Sequence, residues 1–243
     1  MKVLPQQVVG CSDHLIDLGT FCHSDQIIWN KLQFELSKTG WTGFLGKSGI
    51  GKTTLLRCLA GLEAAQPLSL KDHKIALLAQ NDNLLPWTTV LKNVMIGCTL
   101  RGEKPNEKQA LNLLIQVGLG AYANYYPMQL SMGMRQRVAL ARTLYEQADL
   151  ILLDEPFTAL DTKIKYELYE LTQTLLAGKM VVIVTHDPLE ALTLCERIYL
   201  FKGLPTTLVP FELSQSPQKA PLSVACIGNS PDLNRLMETI LCD

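Results

Sequence analysis

Residues 46 to 53 read Gly-Lys-Ser-Gly-Ile-Gly-Lys-Thr, the spacing G-x-x-x-x-G-K-[ST], between a short apolar run, Phe44-Leu45, and a helix-like segment from Thr53 to Gly61. Strand, glycine turn and helix in that order form one step of an α/β fold and make a site for nucleotide phosphates. Several negative charges must be held without a covalent bond, so the chain has to turn tightly and aim bare N–H groups at oxygen atoms. Gly46, Gly49 and Gly51 permit the turn. Lys52 offers a cation to the outer phosphate oxygens, Thr53 a hydroxyl to Mg²⁺, and the following helix its positive dipole end. Ser48 and Thr54 complete the set of nucleotide-binding candidates in this loop.

The rest of the chain repeats the α/β alternation. Apolar runs of strand length occur at Ile75 to Ala79, Leu150 to Leu153, Met180 to Val184 and Ile198 to Phe201, separated by helical patterns, and this predicts a mainly parallel central sheet. Between the first two of those strands about 70 residues are rich in helical periodicity. Pro105 to Gly118 carries Leu111, Leu114 and Ile115 on one face, and Ser131 to Gln147 follows, so a helical subdomain over about 82–146 is expected as an insertion. A helix after Asp161 runs through Ile164, Leu168, Leu171 and Leu175 to Gly178, a residue suited to a left-handed cap. After Gly203, Pro205, Pro210, Pro217 and Pro221 break any long element, and only Pro231 to Leu241 looks helical again. The expected division is a nucleotide-binding domain over 1–205 and a C-terminal extension over 206–243.

At 243 residues and a formal net charge of −1 the chain can bury a full core, and no stretch is strongly basic, which argues against a nucleic-acid partner. Seven cysteines, odd in number and without C-x-x-C or metal spacing, fit reduced thiols in cytosol. No run approaches the roughly 18 apolar residues that cross a bilayer, so work at a membrane would need spanning helices from another chain. Leu150-Ile151-Leu152-Leu153-Asp154-Glu155-Pro156 is a buried-strand pattern ending in two acids. Such a strand delivers its last residues to the carboxyl edge of the sheet, where ligands of open α/β domains sit. Asp154 would then face the Mg²⁺ shell beside Thr53, and Glu155 would reach the water that attacks the terminal phosphate.

Residues 129 to 142, Gln-Leu-Ser-Met-Gly-Met-Arg-Gln-Arg-Val-Ala-Leu-Ala-Arg, narrow the class. This segment resembles the signature of ABC transporter ATP-binding subunits, written L-S-G-G-Q or L-S-G-G-M followed by R-Q-R-V-A-L-A-R. Ser131 can cap the helix that follows and leave free N–H groups for a second phosphate contact. The resemblance implies a P-loop NTPase (RecA-like) core with a small antiparallel β region and the inserted helical subdomain. It also implies a head-to-tail homodimer in which each ATP lies between the phosphate loop of one subunit and Ser131 and Gly133 of the other. Gln80 looks like the Q-loop glutamine that touches Mg²⁺ or the attacking water, Ala159-Leu160-Asp161 like the D-loop, and Val184-Thr185-His186-Asp187 like the H-loop. Glu155, His186, Gln80 and Lys52 become the catalytic set. Thr53, Gln80 and Asp154 become the Mg²⁺ set, and Asp161 joins the nucleotide contacts.

Leu84 to Val94, Thr185 to Leu192 and Gly203-Leu204-Pro205 are similar to importer subunits of the nitrate, sulfonate and taurine type, whose relatives include uptake systems for thiamine precursors. That similarity implies an ATPase on the cytoplasmic side of the inner membrane, bound to integral membrane permease subunits and served indirectly by a solute-binding protein. Leu85, Trp87 and Val90 are candidates for the permease contact, and packing of Trp87 inside the lobe is the other reading. Three departures from the family pattern stand out. Met132 replaces the first glycine of the signature, where a side chain could crowd the nucleotide or need an unfavourable backbone angle. The stretch between Gly61 and Ile75 is short, so its β-hairpin should be trimmed. Phe21, with His23 as the other choice, is taken as the residue that stacks on adenine. The rival readings are a soluble ABC ATPase acting on ribosomes or nucleic acid, and an ATP-binding regulatory subunit that hydrolyses poorly.

Overall fold

Every residue of Leu150–Asp154 and Met180–Thr185 is buried, as expected of central strands in a parallel sheet covered by helices on both faces. The computed structural model describes residues 14–23, 26–63, 67–158, 160–214 and 230–241. In chain order the strands are β1 (His14–Asp17), β2 (Phe21–His23), β3 (Gln26–Trp29), β4 (Gln33–Leu36), β5 (Gly40–Leu45), β6 (Ile75–Leu78), β7 (Leu150–Asp154), β8 (Met180–Thr185), β9 (Arg197–Lys202) and β10 (Thr207–Phe211). The helices are α1 (Lys52–Leu59), α2 (Val90–Val94), α3 (Ile96–Leu100), α4 (Glu107–Gln116), α5 (Met132–Tyr145), α6 (Thr162–Leu175), α7 (Pro188–Leu194) and α8 (Pro231–Leu241).

The main sheet has the order β10-β9-β5-β8-β7-β6, parallel throughout except for β10. Because strand side chains alternate between faces, the sheet separates two cores. Leu45, Ile151, Leu153, Val181 and Ile183 point to one core with residues of α6 and α7. Phe44, Leu150, Leu152, Val182 and Val184 point to the other, against Leu55, Leu56 and Leu59 of α1 and the two antiparallel pairs β1–β4 and β2–β3. A third apolar cluster, including Val90, Val94, Leu114, Val138 and Tyr145, belongs to α2 to α5 and gives the inserted helical layer its own interior. Between α1 and β6 the described residues hold one 3-10 turn, Leu68–Leu70, and no strand, in keeping with the trimmed hairpin.

Two expectations change. The sheet does not end near residue 205: β10 pairs antiparallel with β9, Pro210 opposite Tyr199. Proline is tolerated there because β10 is the edge strand and needs no second ladder of N–H bonds. Thr206, fully buried, donates its N–H to Ile28 O at 2.6 Å and its hydroxyl to Ile50 O at 3.0 Å, so the segment after 205 also holds the phosphate loop. The second change is Phe21. Its ring is 8% exposed and stacks on Trp29 at 5.1 Å between centroids, inside the core beneath α1. A bulge between Phe21 and Cys22 in the β2–β3 pair accompanies that inward turn, and the ring is packed in the core rather than open for adenine. The side chain of His23 lies outside the described residues.

Candidate functional site

Parallel register brings the functional residues to one edge. Leu45, the last residue of β5, is opposite Thr185 of β8, and Asp154 of β7 is opposite Val184. The residues that follow, the phosphate loop, Glu155 and His186, therefore leave the sheet side by side. Glu155 N–H continues the ladder to Val184 O at 3.0 Å.

In the loop Gly49 and Gly51 have φ of 81° and 108°, values that a residue with a Cβ rarely adopts. Gly46 is required by space: a Cβ there would lie 2.8 Å from Cβ of Phe201. Ser48 is exposed in this loop and Thr54 half-buried in the first turn of α1. Lys52 is buried, and its ammonium donates to Gly46 O at 2.8 Å and Lys47 O at 3.0 Å while lying 3.3 Å from Glu155 Oε1. Glu155 Oε2 meets His186 Nδ1 at 3.0 Å and accepts from Thr158 Oγ1 at 3.3 Å. Glu155 thus bridges the loop lysine and the histidine. It does so from a left-handed backbone, φ 44°, a conformation costing on the order of 1–3 kcal/mol that recurs where a side chain must be aimed.

Thr53 Oγ1 donates to Asp154 Oδ1 at 3.2 Å. Burial holds the Asp154 carboxyl above the usual carboxylate range, against the hydrogen bond from Thr53, with the neighbouring Glu155 charge adding to the rise and Lys52 opposing it. A hydroxyl and a carboxylate converging at the N-terminus of α1 form an oxygen donor set of the kind a hard divalent cation takes. An N–H-lined turn with a buried lysine beside it suits a triphosphate.

Gln80 follows β6 at the same edge, exposed, and its carbonyl accepts from Gln136 Nε2 at 3.2 Å. Two arginines of α5 hold the next residues: Arg135 Nε bonds Asp82 Oδ2 at 2.8 Å, and Arg142 donates to Asp82 O at 2.6 Å and Asn83 O at 2.9 Å. Burial draws the Arg142 guanidinium below its ordinary pKa, with the Asp82 charge acting in the opposite sense. Helix α5 and the segment that follows β6 are in this way one structural piece. Past it Asn93, fully buried, accepts from Leu85 N at 2.7 Å and donates to Leu85 O, Thr88 O and Thr89 O at 3.1, 3.2 and 3.1 Å. That clamp displays Trp87, 74% exposed. Trp87 is therefore outside the lobe core, whereas Val90 is fully buried in it and unavailable to a partner.

Ser131 caps α5, accepting from Met134 N at 3.3 Å, and Asp161 caps α6, accepting from Ile164 N at 3.1 Å. Met132 is the first residue of α5, 48% exposed and without a positive φ, so the position is open to a side chain. Gly133 is buried, and a Cβ there would press within 2.9 Å of Ile164. Among the described residues no hydrogen bond or ion pair joins Ser131, Gly133 or Asp161 to the phosphate loop, and the structure groups Lys52, Thr53, Asp154, Glu155 and His186 without them. Arg135, Gln136, Arg142, Asn93 and Thr206 were not foreseen as positioning groups. The i, i+7 spacing of Arg135 and Arg142 was a visible signal of a shared face, but not of what that face meets.

The family model described as "ABC transporter" matches residues 29–158, and the chain belongs to the ABC transporter ATP-binding family. It binds ATP and is an ATPase. It is 43% identical over 185 residues to an uncharacterised ABC transporter ATP-binding protein of Haemophilus influenzae, covering 73% of this chain and 77% of that protein. It is 39% identical over 198 residues to the aliphatic sulfonates import ATP-binding protein SsuB of Pectobacterium atrosepticum, covering 77% and 73%. Among solved structures, the post-hydrolysis dimer of the ATP-binding cassette MJ0796 bound to ADP and Pi superposes with a TM-score of 0.68 at 29% identity, over 82% of this chain and 97% of that one.

Proposed function

We propose that this chain is the ATP-hydrolysing subunit of an ABC importer, acting as a head-to-tail homodimer beneath a separate membrane permease. The observation that carries the reading is the Lys52–Glu155–His186 bridge at the carboxyl edge, beside Thr53 and Asp154. Phosphate oxygens entering the loop compete with Glu155 for Lys52 and free its carboxylate to orient water at the terminal phosphorus, with His186 fixing its direction. Phosphoryl transfer asks for little covalent chemistry, so positioning and charge stabilisation by Lys52 and the loop N–H groups supply most of the effect. Thr53 and Asp154, with Gln80 as the third candidate, would hold Mg²⁺, which would supply further charge neutralisation.

The dimer is supported by the separation of Ser131 and Gly133 from the loop within one chain, and by the dimeric state of the superposed cassette. Among the described residues no helix is long and apolar enough to cross a membrane, and in this reading the permease is a different chain. Trp87, held outward by Asn93 and next to half-buried Leu85, is the permease contact in this reading, which places the protein on the cytoplasmic face as a peripheral subunit. The import ATP-binding relatives named for aliphatic sulfonates support an importer of the nitrate, sulfonate and taurine group, whose solute would be a small anion.

The test is Mg²⁺-dependent ATP hydrolysis by the purified chain over a range of protein concentrations, with Lys52→Ala as the blank. A rate per subunit that rises with concentration and disappears in the blank supports the two-site dimer. A rate per subunit independent of concentration, from a chain that stays monomeric with ATP, refutes it.

A further inference from the structure

Between α6 and α7, behind the nucleotide site, lies a charge cluster that the phosphate chemistry does not use. Glu190 is only 1% exposed, yet its carboxylate has three partners. Lys165 Nζ lies 3.0 Å from Oε1, Tyr169 donates its hydroxyl to Oε1 at 3.1 Å, and Thr185 donates its hydroxyl to Oε2. Lys165 also reaches Asp187 Oδ2 at 2.5 Å, and the Asp187 N–H donates to Thr185 Oγ1 at 3.0 Å. Asp187 Oδ1 in turn caps α7 through Leu189 N at 2.9 Å.

These bonds converge on the three-residue turn Thr185-His186-Asp187. Both neighbours of His186 are tied to the cluster, while the imidazole itself is about half exposed and meets Glu155. The direction of that ring is thus set through its backbone, from behind. Burial works against the charge on Lys165, but its bonds to Asp187 and Glu190 more than offset this and keep its pKa above the ordinary value, so the ammonium stays charged. A buried ion pair is weak evidence for stability, since apolar residues of similar size commonly do as well. A fully satisfied polar cluster does fix geometry. Lys165 sits one turn after Asp161, so the start of α6 and the histidine turn are held as one unit.

We propose that Lys165 and Glu190 are positioning residues for His186, locking the Thr185–Asp187 turn to α6 so that the imaginary line from Glu155 through the imidazole keeps its aim at the terminal phosphate. The proposal rests on the reading of His186 as a group that acts at that phosphate.

The experiment is a double-mutant cycle on the full-length chain with saturating Mg²⁺, reading kcat and KM for ATP, single-turnover phosphate release for slow variants, and thermal unfolding for each protein. Lys165→Met is expected to lower kcat about 10-fold with KM changed less than about 2-fold, and Lys165→Arg to restore most of the rate. In a His186→Ala background Lys165→Met should cost less than about 2-fold more, since there is no ring left to aim. Should Lys165→Met fail to fold because Glu190 is left unpaired, the Lys165→Met, Glu190→Gln double variant removes both charges together and is carried through the same cycle. An equal loss in both backgrounds, or a loss confined to KM, overturns the proposal while leaving His186 in its role. A His186→Ala variant with unchanged kcat removes that role itself and the proposal with it.

Discussion

Replacing Glu155 with glutamine separates two consequences of one carboxylate. Its Oε1 lies 3.3 Å from Lys52 Nζ, and the two side chains are 12% and 5% exposed. At an effective dielectric constant of about 20, unit charges at that separation attract by about 5 kcal/mol. Desolvation of the two groups offsets most of this, leaving about 1–2 kcal/mol that a phosphate group must displace on entering the loop. Glutamine has the same length and can still bond His186 and Thr158, but it cannot hold the lysine as an ion. Glu155→Gln is therefore expected to bind ATP about 5–30-fold more tightly, the factor equivalent to 1–2 kcal/mol, and to lose about 10²–10³ in turnover with its base or water-orienting group. Equilibrium titration with a fluorescent ATP analogue and steady-state phosphate release read the two effects separately. Weaker nucleotide binding than in the parent protein would refute the competition between Glu155 and phosphate for Lys52, and turnover within about 10-fold of the parent would remove Glu155 from the chemistry.

Asn93→Ala removes the side-chain hydrogen bonds around a fully buried amide and leaves Leu85 N and Thr88 O without those partners, while Leu85 O and Thr89 O keep the backbone N–H groups of Thr88 and of position 93, so urea unfolding should show a loss of about 1–3 kcal/mol; a change below about 0.5 kcal/mol would mean the Leu85–Thr89 loop does not depend on it. Met132→Gly is expected to change the ATPase rate by less than about 2-fold and to cost at most about 1 kcal/mol of helix stability, because Met132 already has a backbone that any residue adopts; a gain above about 10-fold would show that the side chain crowds the nucleotide. Maleimide labelling of the native protein followed by mass mapping should modify exposed Cys22 well before Cys58, whose thiol burial pushes up to about 11, and before Cys195, raised further by complete burial; equal rates at Cys22 and Cys58 would contradict the packing beneath α1.

The parts of the fold that the sequence made legible depend on neighbours in the chain. Apolar runs marked β6 to β9 to within two residues at either end, because burial on both faces of a parallel sheet leaves an unbroken apolar string. The phosphate loop was legible because glycine is needed where φ is positive, and Gly49 and Gly51 have that conformation. β10 was not, since Pro210 reads as a breaker unless its strand is known to be at an edge. Phe21 misled for a related reason: an aromatic residue ahead of Ile28-Trp29 says nothing of which way a bulged hairpin turns its ring.

A second limit is the nature of the partners. The grouping of Lys52, Asp154, Glu155 and His186 was legible because each is a side chain of distinctive chemistry, Lys52 in a glycine-rich loop motif and the others at or just past the end of a strand. The groups that fix the adjoining loops act largely on main-chain oxygens: Arg142 on Asp82 O and Asn83 O, Gln136 on Gln80 O, Thr206 on Ile50 O, and Asn93 on Leu85 O, Thr88 O and Thr89 O. A carbonyl is the same at every position, so no residue type in the sequence announces it as a target. Nothing in the residue type of Arg142 marks its role, although its hydrogen bonds join the helix capped by Ser131 to the loop that begins at Gln80. In a two-subunit site of the proposed kind, that joint would carry the arrival of a nucleotide at Ser131 toward the same loop that displays Trp87, through the bonds of Arg142 to Asp82 O and Asn83 O and of Asn93 to the Leu85–Thr89 turn.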